Sequence, residues 1–110
     1  MKIFDFFEMY NLHDSLIESI DYNADDKTVK IVVDFCFWQQ KDYNENKPET
    51  GLIIIKFSNV SEFIYEPINI NSDEIIDTSV DNNSVEIKFF NEETQKCHSI
   101  QICSCDVAIE

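Results

Sequence analysis

The sequence predicts a mainly β domain of the α+β kind, with one short N-terminal helix and an antiparallel sheet forming a small sandwich or half-open barrel. Three observations carry this. Apolar and polar residues alternate along several segments, the period-2 signature of strands with one buried face. The connections between these segments are short and rich in Asn, Asp and Glu, and strands joined by short turns pair antiparallel. Helical periodicity is confined to the first ten residues, so no crossover helix is at hand to build a parallel βαβ unit.

Residues 2–10 form the helix. Ile3, Phe6, Phe7 and Tyr10 fall at i, i+3, i+4 and i+7 with Asp5 and Glu8 on the other side, a single apolar stripe. A helix this short is marginal alone and must dock. Residues 15–22 follow as a strand, with Leu16, Ile20 and Tyr22 expected on one face. The clearest strand is 28–38. Val29, Ile31, Val33, Phe35 and Phe37 share one parity, while Lys30, Val32, Asp34, Cys36 and Trp38 take the other. The connector 23–27 makes these two a hairpin.

Residues 39–50, with Pro48, read as a loop. Gly51 opens Leu52 to Phe57, apolar on both parities and expected to be buried on both faces. Residues 61–66 are ambiguous between a helical turn and an edge segment. Strands at 74–80, 84–90 and 98–109 complete the set. Asp81-Asn82-Asn83 is expected to make a tight turn using the tolerance of Asn for positive φ, and 91–96 is a second polar turn. In the last strand the apolar parity changes between Ile102 and Cys103, which either a β-bulge or burial on both faces would reconcile.

The chain has 110 residues and is 44% hydrophobic, enough for one core; a chain of this size buries about two-thirds of its unfolded surface. It is read as one domain, 1–110. Twenty-two acids face eight bases, all lysine, for a formal charge of −14. The acids divide evenly between the two halves, as on the solvated face of a folded domain and unlike an acidic tail. This balance disfavours nucleic-acid binding, which needs clustered Lys and Arg. A single glycine disfavours the glycine-rich loops that cradle phosphates. No apolar run has the roughly 20 residues of a membrane span, and acids interrupt the N-terminal apolar residues where a secretory signal would be continuous. The expected location is the cytoplasm, with no membrane association.

Two groupings could carry chemistry. Cys97, Cys103 and Cys105 share a parity, with His98 and Cys36 as further donors. Tetrahedral zinc sites favour Cys pairs two to four residues apart on turns; Cys103-Ser104-Cys105 has one intervening residue inside a strand. Buried free thiols are the favoured reading, and neither metal nor cofactor is expected. His13-Asp14 could be a metal pair or a base with its orienting carboxylate. Neighbouring strand residues point to opposite faces, so a helix-to-strand corner is favoured. There Asp14 or Ser15 would bond free backbone N–H groups and His13 would anchor the helix. Trp38 and Phe90 fall on mixed strand faces beside Asp34 and Lys88, where aromatics next to carboxylates suit a protein-binding surface. The candidate binding residues are therefore Trp38, Asp34, Phe90, His13 and Asp14, with no catalytic residue.

The Leu12-His13-Asp14-Ser15 corner, the strand start Thr28-Val29-Lys30-Ile31 and the later Ile55-Lys56-Phe57-Ser58-Asn59-Val60 resemble small uncharacterised bacterial proteins with an LHDS start and an lxFxnV strand end. Some of these are similar to immunity proteins of bacterial toxin systems. The resemblance implies a cytoplasmic inhibitor that blocks a toxin by binding and performs no catalysis. The net charge adds that a basic protein partner would be steered toward this chain. The alternatives are a stand-alone β domain with another ligand, or a small metal-dependent enzyme using His13 and Asp14.

Overall fold

A computed structural model describes residues 1–40, 44 and 48–110. The chain runs α1 (Ile3–Met9), β1 (Leu16–Asn23), β2 (Thr28–Cys36), a 3₁₀ turn (Phe37–Gln39), β3 (Thr50–Tyr65), β4 (Asp73–Val80), β5 (Ser84–Asn91) and β6 (Lys96–Ile109). The strands are mainly antiparallel neighbours in the order β1-β2-β3-β6-β5-β4, and β4 returns to β1 to close a barrel. The closing seam is short, pairing Leu16 with Glu74 and Ile17 with Asp73. Backbone bonds from Asp14 N–H to Ile75 C=O (3.1 Å) and from Ile75 N–H to Ser15 C=O (2.8 Å) extend it.

The helix lies where its stripe requires. Ile3 and Phe6 are fully buried, Phe7 and Tyr10 pack against the core, and Asp5 and Glu8 face solvent. Seven residues cannot hold a helix unaided, and α1 rests on β4, β5 and β6. Aromatic rings carry it over to β2: Phe6 to Tyr10 at 4.7 Å between centroids, Tyr10 to Phe35 at 6.1 Å, Phe35 to Phe37 at 5.3 Å. Gly51 sits beneath the last ring. A Cβ there would lie 2.8 Å from Phe37 Cε2, closer than carbon atoms can approach, which explains the one glycine of the chain.

Bulges shape the barrel, and they account for most departures from simple alternation. An extra residue bends its strand and increases the local twist, which a ring of six strands needs in order to close. β1 carries one between Ile17 and Ser19, so the inward set is Ile17 and then Ile20. Leu16, expected on one face with Ile20 and Tyr22, is separated from Ile20 by the bulge and lies on the outer side, paired between Asp34 and Glu74. β4 carries another between Ile75 and Asp77. β3 and β6 turn over together: Phe57 and Val107 are buried, and so are Val60 and Ser104 three residues away. Asn59 takes a left-handed φ of 53° at that point, and the Ser104 hydroxyl donates to the carbonyl of Ser58. A further shift in β3 lies between Val60 and Glu62.

Several sequence expectations are corrected by this geometry. In β6 the inward parity of Ile100 and Ile102 continues through Ser104 and changes at Cys105-Asp106, not between Ile102 and Cys103. The N-terminal ammonium bonds the Asp106 carboxylate and holds its carboxyl below the usual range. β2 ends at Cys36, so Phe37 and Trp38 belong to the 3₁₀ turn and not to the strand. β3 is not buried on both faces: Ile55 and Phe57 are inside, while Leu52 is 70% exposed. Residues 61–66 are neither helix nor a separate edge, since β3 continues to Tyr65.

The turn Asp81-Asn82-Asn83 joins β4 to β5 as expected, but without a positive φ; left-handed residues occur at Lys27 and Gln95 instead. Both close four-residue hairpins built alike. Asn23 Oδ1 accepts from the N–H of Asp25 and Asp26, and Asn91 Oδ1 accepts from Thr94 N–H. Within the expected loop 39–50, residues 41–43 and 45–47 lie outside the described residues.

Candidate protein-binding face

The corner between α1 and β1 is assembled from four consecutive residues. Leu12 is buried and anchors it. Asn11 Oδ1 accepts from His13 N–H at 2.9 Å, a local bond that turns the chain. Asp14 adopts φ 67°, a left-handed conformation that a short polar residue tolerates. Ser15 is fully buried, and its hydroxyl accepts the N–H of Cys36 at 3.0 Å. From the other side, Gln40 Nε2 donates to the carbonyls of Asn11 (2.8 Å) and Cys36 (2.9 Å). The end of the helix, the start of β1 and the end of β2 are thereby tied to one another.

The corner reading of this motif agrees with the geometry for Ser15. His13 behaves differently from expectation: it is exposed and does not anchor the helix. Its Nε2 lies 3.8 Å from Asp14 Oδ1.

Cys36 is the hub. Its thiol donates to the Asp14 carbonyl at 3.3 Å. Burial pushes the thiol above its ordinary pKa, the Asp14 and Asp34 carboxylates push the same way, and hydrogen bonds with the Ser15 and Trp38 side chains oppose them. Buried and bonded to Ser15, Asp14 and Gln40, Cys36 packs the corner and positions its neighbours. Three of the five residues singled out from the sequence (Asp14, Asp34 and Trp38) are gathered around it, and exposed His13 is next to Asp14. Phe90 is not among them. It lies on β5, three strands from β2 in the ring, half-buried and paired with Cys97.

Below the corner, the outer faces of β1, β2 and β3 form a patch that alternation alone did not reveal. Leu16, Asp34 and Leu52 are register partners in one row across the three strands. Ser19, Val32 and Ile54 make the next row, and Asp21, Lys30 and Lys56 the third. Strands are about 4.8 Å apart, so the half-buried Asp34 carboxylate stands between two leucines with a valine at the next outward position of its own strand. Trp38, 48% exposed, crowns the β2–β3 end, its backbone N–H donating to Glu49 C=O at 3.3 Å. At the opposite end Lys30 pairs with Glu110 at 3.2 Å. The signal for this patch was present in the apolar run Leu52 to Phe57, whose even positions had been assigned to a second buried face.

The cysteines also differ from the expectation of buried thiols. All four are free; Cys36 is buried, Cys103 is half-buried, and Cys97 and Cys105 are exposed. Among the described residues, no group of three or more His, Cys, Asp or Glu side chains is placed to hold a metal ion. Alkylation of the folded protein, followed by peptide mass spectrometry, is expected to modify Cys97 and Cys105 first and Cys36 only after denaturation. Early modification of Cys36 would show that the corner does not shield it.

Among the described residues no helix is long and apolar enough to cross a membrane. Comparison with known proteins found no matching family model, no matching curated protein and no matching solved structure.

Proposed function

We propose that this protein is a non-enzymatic acidic binding module that engages a basic protein partner, in the manner of an immunity-type inhibitor of a toxin. The observation that carries the reading is the outer face of β1–β2–β3, where exposed Leu52 and half-buried Leu16, Val32 and Ile54 surround a carboxylate at the end crowned by exposed Trp38. Apolar contact area with an aromatic anchor is the usual composition of an interface centre. The surrounding net charge of −14 favours a partner of opposite sign and accelerates its encounter.

The test is kinetic. A partner captured on the immobilised chain, identified and purified, is mixed with the protein at increasing ionic strength. The association rate is expected to fall about tenfold between low and physiological salt, because exposed charges are screened beyond about 8–10 Å. An association rate independent of salt would overturn the reading.

A further inference from the structure

We infer that the β1–β2–β3 face accepts an arginine, flanked by aliphatic residues, from its protein partner, with Asp34 as the acceptor; this rests on the binding reading above. The charge on the face is ordered. Asp34 is set between Leu16 and Leu52, whereas Glu18 at the β1 bulge accepts from the Ser72 hydroxyl and Glu74 continues the row beyond Leu16 on β4. The cations Lys30 and Lys56 occupy the far row, two register steps from Asp34 along β2 and β3. Lys30 is already engaged by Glu110, and no ion pair to Asp34 is made among the described residues. A docked partner therefore covers a half-buried anion, and covering it without a cation would be costly.

Arginine fits this setting better than lysine. Its planar guanidinium is weakly hydrated, can bond both oxygens of a carboxylate, and stacks on an indole such as Trp38. The aliphatic neighbours Leu16, Val32, Leu52 and Ile54 exclude water from the pair, as neutral contacts do around an interface hot spot. The partner's chemistry is thus a cation set among apolar side chains, not a run of charge alone.

Amide chemical-shift mapping on the full chain tests this with three blocked peptides. One alternates Arg and Leu, a second alternates Lys and Leu, and a third alternates Arg and Ser. The Arg–Leu peptide is expected to bind tightest and to shift the amides of Leu16, Val32, Asp34, Leu52 and Ile54. Asp34→Asn, isosteric and at a solvent-facing position, is expected to weaken it about tenfold. Glu86→Gln on β5 removes the same charge away from the face and should change affinity less than about twofold.

Shifts clustered on other acidic segments, or equal losses for the two variants, would overturn the inference while leaving a salt-dependent acidic binder intact. Equal affinity for the Arg–Leu and Arg–Ser peptides would also overturn it, since charge alone would then suffice. No binding by any cationic peptide, together with salt-independent association of the partner, would remove the underlying reading as well.

Discussion

Phe89→Ala is expected to lower the free energy of unfolding by about 3–5 kcal/mol, the usual cost of emptying a large aromatic site in a core. Phe89 is fully buried and sits on β5, whose inward residues Val85, Ile87, Phe89 and Asn91 are all buried without interruption. It is paired with Ile75 across β4 and with His98 across β6, and its ring stacks on the His98 imidazole at 6.1 Å between centroids. Three strands therefore meet at this side chain, and none can move in to fill the space without breaking ladder bonds. Small domains unfold with about 5–15 kcal/mol in total, so the loss is a large share of stability. For a chain of about 100 residues it corresponds to a fall in Tm on the order of 15–30 °C. Chemical denaturation monitored by circular dichroism measures it. A loss below about 1 kcal/mol would contradict the placement of Phe89 at the centre of the core.

Asn91→Ala is expected to cost on the order of 3 kcal/mol, through polar groups instead of packing. The Asn91 amide nitrogen donates to Asp73 Oδ2 at 2.7 Å and to the Asn69 carbonyl at 2.8 Å. Its oxygen accepts from Thr94 N–H at 2.9 Å. One side chain thus ties the start of β4, the segment 66–72 and the β5–β6 turn. Asp73 is 2% exposed, and truncating Asn91 strips a buried carboxyl of a close donor, which costs more than the bond itself was worth. Nearby, the Tyr65 hydroxyl donates to the Ile68 carbonyl at 3.4 Å, and burial raises its pKa. Glu92→Gln, one residue away and exposed, is the control and should change stability by less than about 0.5 kcal/mol. Equal effects for the two variants would show that the Asn91 network is not structural.

Both sites were visible in the sequence to different degrees, for a physical reason. β2 and β5 keep one inward parity: Val29, Ile31, Val33 and Phe35 in the first, Val85, Ile87 and Phe89 in the second, whereas Asn91, expected in the polar turn 91–96, is the buried last residue of β5. Period-2 reading succeeds there because neither strand carries an extra residue. In β1, β3, β4 and β6 the parity changes within the strand, and a local pattern cannot say where, because bulge position depends on the partner strand. For this reason Leu16 is expected on one face with Ile20 and Tyr22, and Leu52 on a second buried face, and the outer-face patch they form is not legible from alternation. The helix, by contrast, was legible residue by residue, since Ile3, Phe6, Phe7 and Tyr10 repeat at the helical period with no partner needed to set the phase.

The same division applies to the candidate site. The Leu12-His13-Asp14-Ser15 motif identified a corner, because a polar cluster between two periodic segments must satisfy backbone groups locally. Which residues the corner gathers could not be read along the chain. Asp14 meets Cys36, 22 positions away, because the antiparallel β1–β2 pairing, with Leu16 opposite Asp34, brings the start of β1 against the end of β2. Composition established an acidic surface, a β-rich fold and one helix, all of which depend on residue type and short-range period. Only the registers of the β1–β2 and β2–β3 pairings decided that Asp34 would stand between Leu16 and Leu52, since cross-strand neighbours are set by strand pairing and not by the local sequence. The charge of −14 thereby changes from a property of the whole chain to an anion at a defined place on one face.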